Sequence, residues 1–294
     1  MDYLDKRTAE SYKTKLIGLF RKFIEFCDEF SICYFCSGGT AIGAIRHHGF
    51  IPWDDDIDLF MMREDYSKLL TLREELKKRG IGLEGIQCSG QFATFLKIWD
   101  MNTTMWELEE IPFVYGIYID IFPLDYTDDS RDRFLQKYKK RRRLYLCYQL
   151  SLMRFSISTF IRRLRQRDYK FVTKGLLSLF LPNWASGIIR KKILEEDKKE
   201  QRSCGSYLAS YYGDYWEREY YRVEWFKDYI VAEFESLKVK IPIGYHEYLT
   251  QNYHDYMELP PKEKQVSHHY HYYLNLDKGM TIDEVRKELK YNKK

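Results

Sequence analysis

Apolar residues recur at helical spacing between residues 8 and 30, with Leu16, Leu19, Phe20, Phe23, Ile24 and Cys27 on one side, and predict an amphipathic helix. Residues 32–36 read as a short apolar strand that feeds the glycine turn Ser37-Gly38-Gly39. The stretch 40–47 carries Ile42 and Ile45 inward and predicts a second, short helix, broken by Gly49 and Pro52. There the period changes from 3.6 to 2. Carboxylates stand at Asp54, Asp56 and Asp58 before the segment turns apolar at Leu59-Phe60-Met61-Met62. A strand sends residues i and i+2 to one face. Asp56 and Asp58 therefore share a side, Asp54 approaches it from the preceding turn, and Asp55 points elsewhere.

A helix over 63–78, with Leu69, Leu70, Leu72 and Leu76 as its apolar positions, is ended by Gly80 and Gly82; strand-like pieces follow at 81–86, 92–99 and 103–108. In the stretch 116–125, Ile117, Ile119 and Ile121 alternate with Tyr118, Asp120 and Phe122, which predicts a strand with Asp120 as its odd polar member. An isolated carboxylate there costs several kcal/mol unless neutralised or coordinated. Asp125, beyond Pro123, reads as the cap of the next helix. The apolar runs 144–161 and 171–189 are near the ~18-residue minimum for a bilayer span, but each carries internal charge, so neither is expected to cross a membrane. An aromatic-rich stretch over 207–229 and a short helix near 245–250 follow. The pattern as a whole is α/β (α+β): a mixed sheet flanked by helices. Residues 1–127 form the expected core, 128–240 a mostly helical basic subdomain, and 241–294 a C-terminal segment packing back on the core.

Composition changes this picture in three places. The 294 residues, 45% hydrophobic, suffice for a folded protein of one large domain or two, and 26 tyrosines suit carbohydrate or cationic head groups as well as ordinary packing. The net charge of +4 conceals fourteen Lys/Arg against Asp132 and Asp168 between 131 and 170, a local +12 that leaves −8 for the rest. Basic flanks on amphipathic helices suit a peripheral contact with an anionic membrane, at about 1 kcal/mol per cation, and equally a solvated helical face. No nucleic-acid reader motif accompanies the charge, so no nucleic acid is expected. The six cysteines are scattered; Cys33-x-x-Cys36 has no second pair, which reads as free thiols in a reducing cytoplasm. The first residues lack the pattern of a secretory signal, and the expected location is cytoplasmic, at most peripheral on the inner face of the plasma membrane.

Candidate chemistry comes from the acids. Two charges ~7 Å apart at an effective dielectric of ~20 repel by roughly 2 kcal/mol, which raises a pKa or recruits a cation. Oxygen-only ligands on a fixed strand suit Mg²⁺ or Mn²⁺. An EF-hand is excluded, since no Gly stands at loop position six and no Glu at position twelve.

The glycine turn, helix and Asp56-Ile57-Asp58-Leu59 resemble the signature of the nucleotidyltransferase superfamily. More narrowly, Ser37-Gly38-Gly39-Thr40-Ala41-Ile42-Gly43-Ala44-Ile45-Arg46-His47-His48-Gly49-Phe50-Ile51-Pro52-Trp53-Asp54-Asp55-Asp56-Ile57-Asp58 resembles the LicD family of phosphotransferases, which includes bacterial phosphocholine transferases and, more distantly, the fukutin-related proteins. Phe95-Leu96-Lys97-Ile98-Trp99-Asp100 is similar to a second family stretch, and the 116–125 strand to the third metal-carboxylate strand of the superfamily core. The stretch 252–264, followed by His268-His269, resembles the family's tail, with His254 where that pattern has Gly. If the turn needs a positive φ, His is tolerated less well than Gly.

The resemblance implies a nucleotidyltransferase-like core that transfers a phospho-alcohol from a CDP-linked donor, CDP-choline above others, to a sugar hydroxyl of a surface glycan, releasing CMP. Teichoic acid, lipopolysaccharide and capsule precursors, possibly lipid-linked, are the implied acceptors. Asp54, Asp56, Asp58 and Asp120 are the expected metal ligands; Asp56, Asp58 and Asp120 are the expected catalytic residues, with Asp120 the candidate base. Gly38, Gly39, Thr40, Arg46, Lys97 and Lys264 are the expected donor-binding residues, although Arg46 also suits a helix C-terminus and Lys97 a strand-face cation. Trp53, Trp99, Trp106 and Tyr115 are candidates for a quaternary-ammonium cage. His268-His269-x-His271 reads as a loop near the substrate. Two rival readings stay open: transfer of phosphoethanolamine, phosphoglycerol, phosphoribitol or a nucleotidyl group by the same site, and a catalytically inactive binding subunit of a glycan-assembly complex.

Overall fold

The first amphipathic stripe forms helix α1 (Lys6–Glu29), started by Asp5, whose carboxylate accepts hydrogen bonds from the amides of Arg7 and Thr8. A computed structural model of the chain describes residues 5–88, 93–154, 156–199, 204–213, 215–266 and 271–291. After α1 come β1 (Phe35–Cys36), α2 (Gly38–Ile42), β2 (Asp58–Met62), α3 (Arg63–Thr71), α4 (Arg73–Lys78), β3 (Ile81–Glu84), β4 (Leu96–Asp100), β5 (Thr104–Trp106) and β6 (Tyr118–Thr127). Helices α5 (Arg131–Leu152), α6 (Ile157–Arg165), α7 (Tyr169–Ser178) and α8 (Ala185–Lys199) follow. The chain then returns to β7 (Tyr207–Ala209), β8 (Tyr220–Arg222), the hairpin β9 (Tyr229–Phe234) and β10 (Leu237–Pro242), α9 (Tyr245–Tyr253), β11 (Tyr273–Asn275) and α10 (Ile282–Tyr291).

The central sheet runs β1-β2-β6-β4-β3, with β7 and β8 continuing from the far end of β6. The β2–β6 pair is parallel and its other ladders are antiparallel. Such a mixed sheet with flanking helices is the α+β architecture the pattern predicts. Its core gathers Leu16, Phe20 and Phe23 of α1, Leu59 and Met61 of β2, Ile119 and Ile121 of β6, and Phe226, Phe234 and Tyr248 from the last third.

Several boundaries differ from the sequence reading. The acidic strand begins only at Asp58, so Asp54 and Asp56 lie on the irregular approach to it. The 40–47 helix starts at Gly38 and widens into a π turn over Gly43–His47, closed by His48 in the left-handed region (φ 55°, ψ 30°). The 63–78 helix is two, broken at Leu72. Asp125 is no helix cap. It lies inside β6, 2% exposed, and accepts two 2.6 Å hydrogen bonds from Arg63 of α3; Ser130 caps α5 instead.

The basic run on α5 is partly spent inside the fold. Arg141 is buried and ion-paired with Asp197 at 2.8 Å, Lys140 pairs with Glu196, and Lys137 with Asp128. Among the described residues no helix is long and apolar enough to cross a membrane. All six cysteines are unbridged, and burial pushes the thiols of Cys27, Cys33, Cys36 and Cys88 up, away from thiolate reactivity.

Candidate active site

Parallel pairing of β2 with β6 sets Asp58 and Asp120 in direct register. Register partners direct their side chains to one face of a sheet, so two separate strands present adjacent carboxylates. On the other side of β6, Lys97 of β4 is the antiparallel partner of Asp120. Its ammonium lies 2.7 Å from Asp120 Oδ1 and 3.1 Å from Oδ2, and 3.4 Å from the centroid of the Tyr118 ring. With Lys97 8% and Asp120 13% exposed at the side chain, this pair is largely desolvated. Lys97 is therefore the partner that neutralises the carboxylate stranded in the apolar run.

The glycine turn packs onto the same acids. Gly38 has φ +53°, and a Cβ there would stand 3.3 Å from both Asp58 Oδ2 and the Tyr253 hydroxyl. At Gly39 a Cβ would fall 2.2 Å from Asp54 Oδ2, so the closeness of the Asp54 carboxylate depends on glycine. Thr40 Oγ1 accepts the amide of Asp58 at 2.8 Å, and the Asp58 carbonyl accepts the amide of Ser37 at 2.9 Å. The Gly38 amide donates to the Tyr248 hydroxyl at 2.9 Å. Turn and strand are thereby fixed to one another through Thr40 and the Asp58 carbonyl, and the turn to α9 through Tyr248.

Tyrosines enclose the acids. Burial pushes the Tyr12 hydroxyl well above its ordinary value, and the nearby Asp55, Glu107, Asp56 and Asp120 push it further, so α1 brings a phenol into the field of the acidic approach and of β6. Tyr115 and Tyr118 both donate to Glu107, Tyr118 at 2.6 Å to Oε1. Burial also raises Tyr248 and Tyr253, with Asp58 among the smaller causes. His271 stacks on Tyr12, with ring centroids 5.6 Å apart, whereas His268 and His269 lie outside the described residues.

A family model described as "LicD/FKTN/FKRP, nucleotidyltransferase domain" matches residues 31–155. The lipopolysaccharide cholinephosphotransferase LicD of Haemophilus influenzae is 32% identical to this chain over 275 residues, 90% of this chain and 97% of that protein. The chain belongs to the LicD family. An uncharacterized protein of Rickettsia typhi is 28% identical over 141 residues, covering 45% of this chain and 41% of its own length. One of Rickettsia prowazekii is 40% identical over 50 residues, 17% of this chain and 19% of its own. The LicD family model takes in the glycine turn, Asp54, Asp56, Asp58, Lys97 and Asp120, while Tyr12, Tyr248 and Tyr253 fall outside it.

Within this LicD-family site the remaining expected residues are placed differently from one another. Arg46 is turned to the tail, its Nη1 donating to the carbonyls of Tyr256 at 2.6 Å and Glu258 at 3.0 Å. Lys264 is exposed at the end of a short 3₁₀ turn. Trp99 and Tyr115 face each other with centroids 6.4 Å apart near Lys97, Trp53 is half-buried against the core, and Trp106 donates its indole N–H to the carbonyls of Leu108 and Ile111. His254 has φ 62° and ψ −119°, the glycine-favoured geometry that the tail pattern leads one to expect there. Glu107, Tyr12 and Tyr248 escaped the sequence reading: each stands alone among unremarkable neighbours, and only the fold brings it in. Tyr118 and Tyr253 were visible as polar positions of motifs already singled out.

The donor chemistry fits a hard divalent cation. The carboxylates of Asp58 and Asp120 are adjacent by register, and the Asp54 carboxylate packs against Gly39 of the glycine turn that also meets Asp58. Among the described residues no three His, Cys, Asp or Glu side chains form a preformed metal cage. That is compatible with Mg²⁺, which is usually held by one or two carboxylates together with waters and substrate phosphates.

Proposed function

We propose that this chain transfers phosphocholine from CDP-choline to a sugar hydroxyl of a lipopolysaccharide-type or teichoic-acid glycan, with release of CMP. One observation carries the reading: carboxylates of β2 and β6 stand in parallel register against a glycine turn. Asp56, Asp58 and Asp120, with Asp54 beside them, would hold Mg²⁺ or Mn²⁺, which when bound offsets the charge of the donor pyrophosphate. Gly38, Gly39 and Thr40 let the backbone approach those phosphates, and Asp120, ion-paired with Lys97, accepts the proton of the acceptor hydroxyl. Trp99 and Tyr115, with the carboxylate of Glu107, supply ring faces and counter-charge for the trimethylammonium group. Arg46 acts by docking the tail over the site.

The test offers the purified protein CDP-choline, CDP-ethanolamine, CDP-glycerol and CDP-ribitol with Mg²⁺ and a glycan acceptor. CMP release with phosphocholine on the glycan is expected, abolished by EDTA and lowered at least ~10³-fold by Asp58→Asn. CMP release with another head group on the glycan replaces the donor, and full activity after metal stripping removes the cation from the reading.

A further inference from the structure

The helical stretch 157–188 leaves an apolar surface that no other described residue covers. Among the described residues, half of the large hydrophobic side chains left exposed fall within it. On α6, Ile157, Ile161 and Leu164 stand at i, i+4 and i+7, a single stripe on the outer side, while Arg163 and Thr159 are buried. The turn after α7 carries Phe180 at 83% and Trp184 at 73% exposure, values unusual for side chains of that size.

The same stretch is strongly basic. Six Lys/Arg lie within it against Asp168, a net +5. Arg162 and Arg163 pair with Glu110, and Arg190 binds the carbonyls of Ile86 and Cys88. Arg165, Arg167, Lys170 and Lys174 remain exposed beside the apolar positions.

Soluble surfaces rarely leave such apolar patches bare. A second copy would set Arg165, Arg167, Lys170 and Lys174 against the same cations of its partner. An anionic bilayer meets both demands, since its phosphates attract the cations and its acyl boundary takes the apolar tips, with Trp and Tyr favoured at that depth. We propose that residues 157–188 dock the protein on an anionic membrane surface, with Phe180 and Trp184 entering the headgroup boundary. This goes beyond the transfer reading and does not depend on it, because vesicle binding requires neither donor nor acceptor.

Full-length protein is co-sedimented with vesicles of phosphatidylcholine alone, or with about a third phosphatidylglycerol, at about 0.1 M and 0.5 M salt. Binding to the anionic vesicles is expected, at least ~10-fold weaker on the zwitterionic ones and at the higher salt. Phe180→Ser with Trp184→Ser is expected to weaken it at least ~10-fold with the thermal melt unchanged, as is the independent set Arg165→Glu, Arg167→Glu and Lys170→Glu. The proposal is overturned if wild-type protein stays in the supernatant with anionic vesicles, if both variants bind as wild type does, or if lipid charge makes no difference. Self-association in solution that the serine variant abolishes would instead assign the patch to a second copy and overturn it as well.

Discussion

Gly39→Ala inserts a methyl group where the Asp54 carboxylate lies. The new Cβ would stand 2.2 Å from Asp54 Oδ2 and 3.4 Å from Cγ. Gly39 is inside α2, where alanine adopts the backbone without strain and has the better helix propensity by about 1 kcal/mol. The fold therefore tolerates the change, and the carboxylate does not: it must retreat by about 1.2 Å, on the scale at which misplaced active-site groups lose ~10²-fold in rate. The expected kcat/KM for phosphocholine transfer, read as CMP release, is ~100-fold lower, about 2.7 kcal/mol of transition-state stabilisation. The midpoint of thermal unfolding should stay within about 3 °C. Asp54→Ala closes a double-mutant cycle: if the clash is the cause, adding Gly39→Ala to it costs nothing further. Activity of Gly39→Ala within twofold of wild type would refute the reasoning, as would losses that multiply in the double variant.

Other perturbations read different parts of the fold. Burial alone would lower the pKa of Arg63, yet Asp125 holds its guanidinium above the ordinary value, so Asp125→Ala strands a buried charge and is expected to cost about 3 kcal/mol in urea unfolding, against about 1 for a helix cap. His254→Gly relieves a side chain held at φ 62° and should stabilise by about 1 kcal/mol, seen as a rise in melting temperature; no change would mean the turn relaxes elsewhere. Hydrogen bonding from Lys140 holds the Glu196 carboxyl below its ordinary 4.5. A depressed acid contributes stability above its unfolded pKa and loses it as pH falls through the folded one, so Glu196→Gln should lower stability at neutral and alkaline pH, flatten the curve across that acidic window and match wild type below it.

Sequence periodicity made α1, β4 and β6 legible because each buries one face and its neighbours cooperate. The acids were visible for other reasons: Asp54, Asp56 and Asp58 alternate just before an apolar strand, and Asp120 contradicts the apolar pattern around it, which a folded chain tolerates only where it gains a partner. The partner itself was open, since a lysine on the adjacent strand is chosen by register, and Lys97 reads equally as a phosphate ligand. Asp125 was misplaced because Pro123 suggested a strand end, whereas β6 runs on through it to Thr127 and pairs there with β7. The enclosing tyrosines were hidden by abundance, as nothing local separates Tyr12 or Tyr248 from the other tyrosines.

What positions the site is contributed from both ends of the chain. The Gly38 amide is held by Tyr248 from α9, Asp58 lies beside Tyr253, and Arg46 binds the tail carbonyls at Tyr256 and Glu258, all contacts between segments about two hundred residues apart in sequence. At the other end, α1 places Tyr12 over the acids and stacks it on His271. Residues 31–155 thus supply the charged floor, and segments before and after them supply its walls. Closing such long loops costs little more than closing short ones, because the entropy grows only logarithmically with length. A chain can therefore assign its acids to one compact stretch and leave water exclusion around them to remote tyrosines, which makes the catalytic unit the whole sheet with its tail rather than the acidic segment alone.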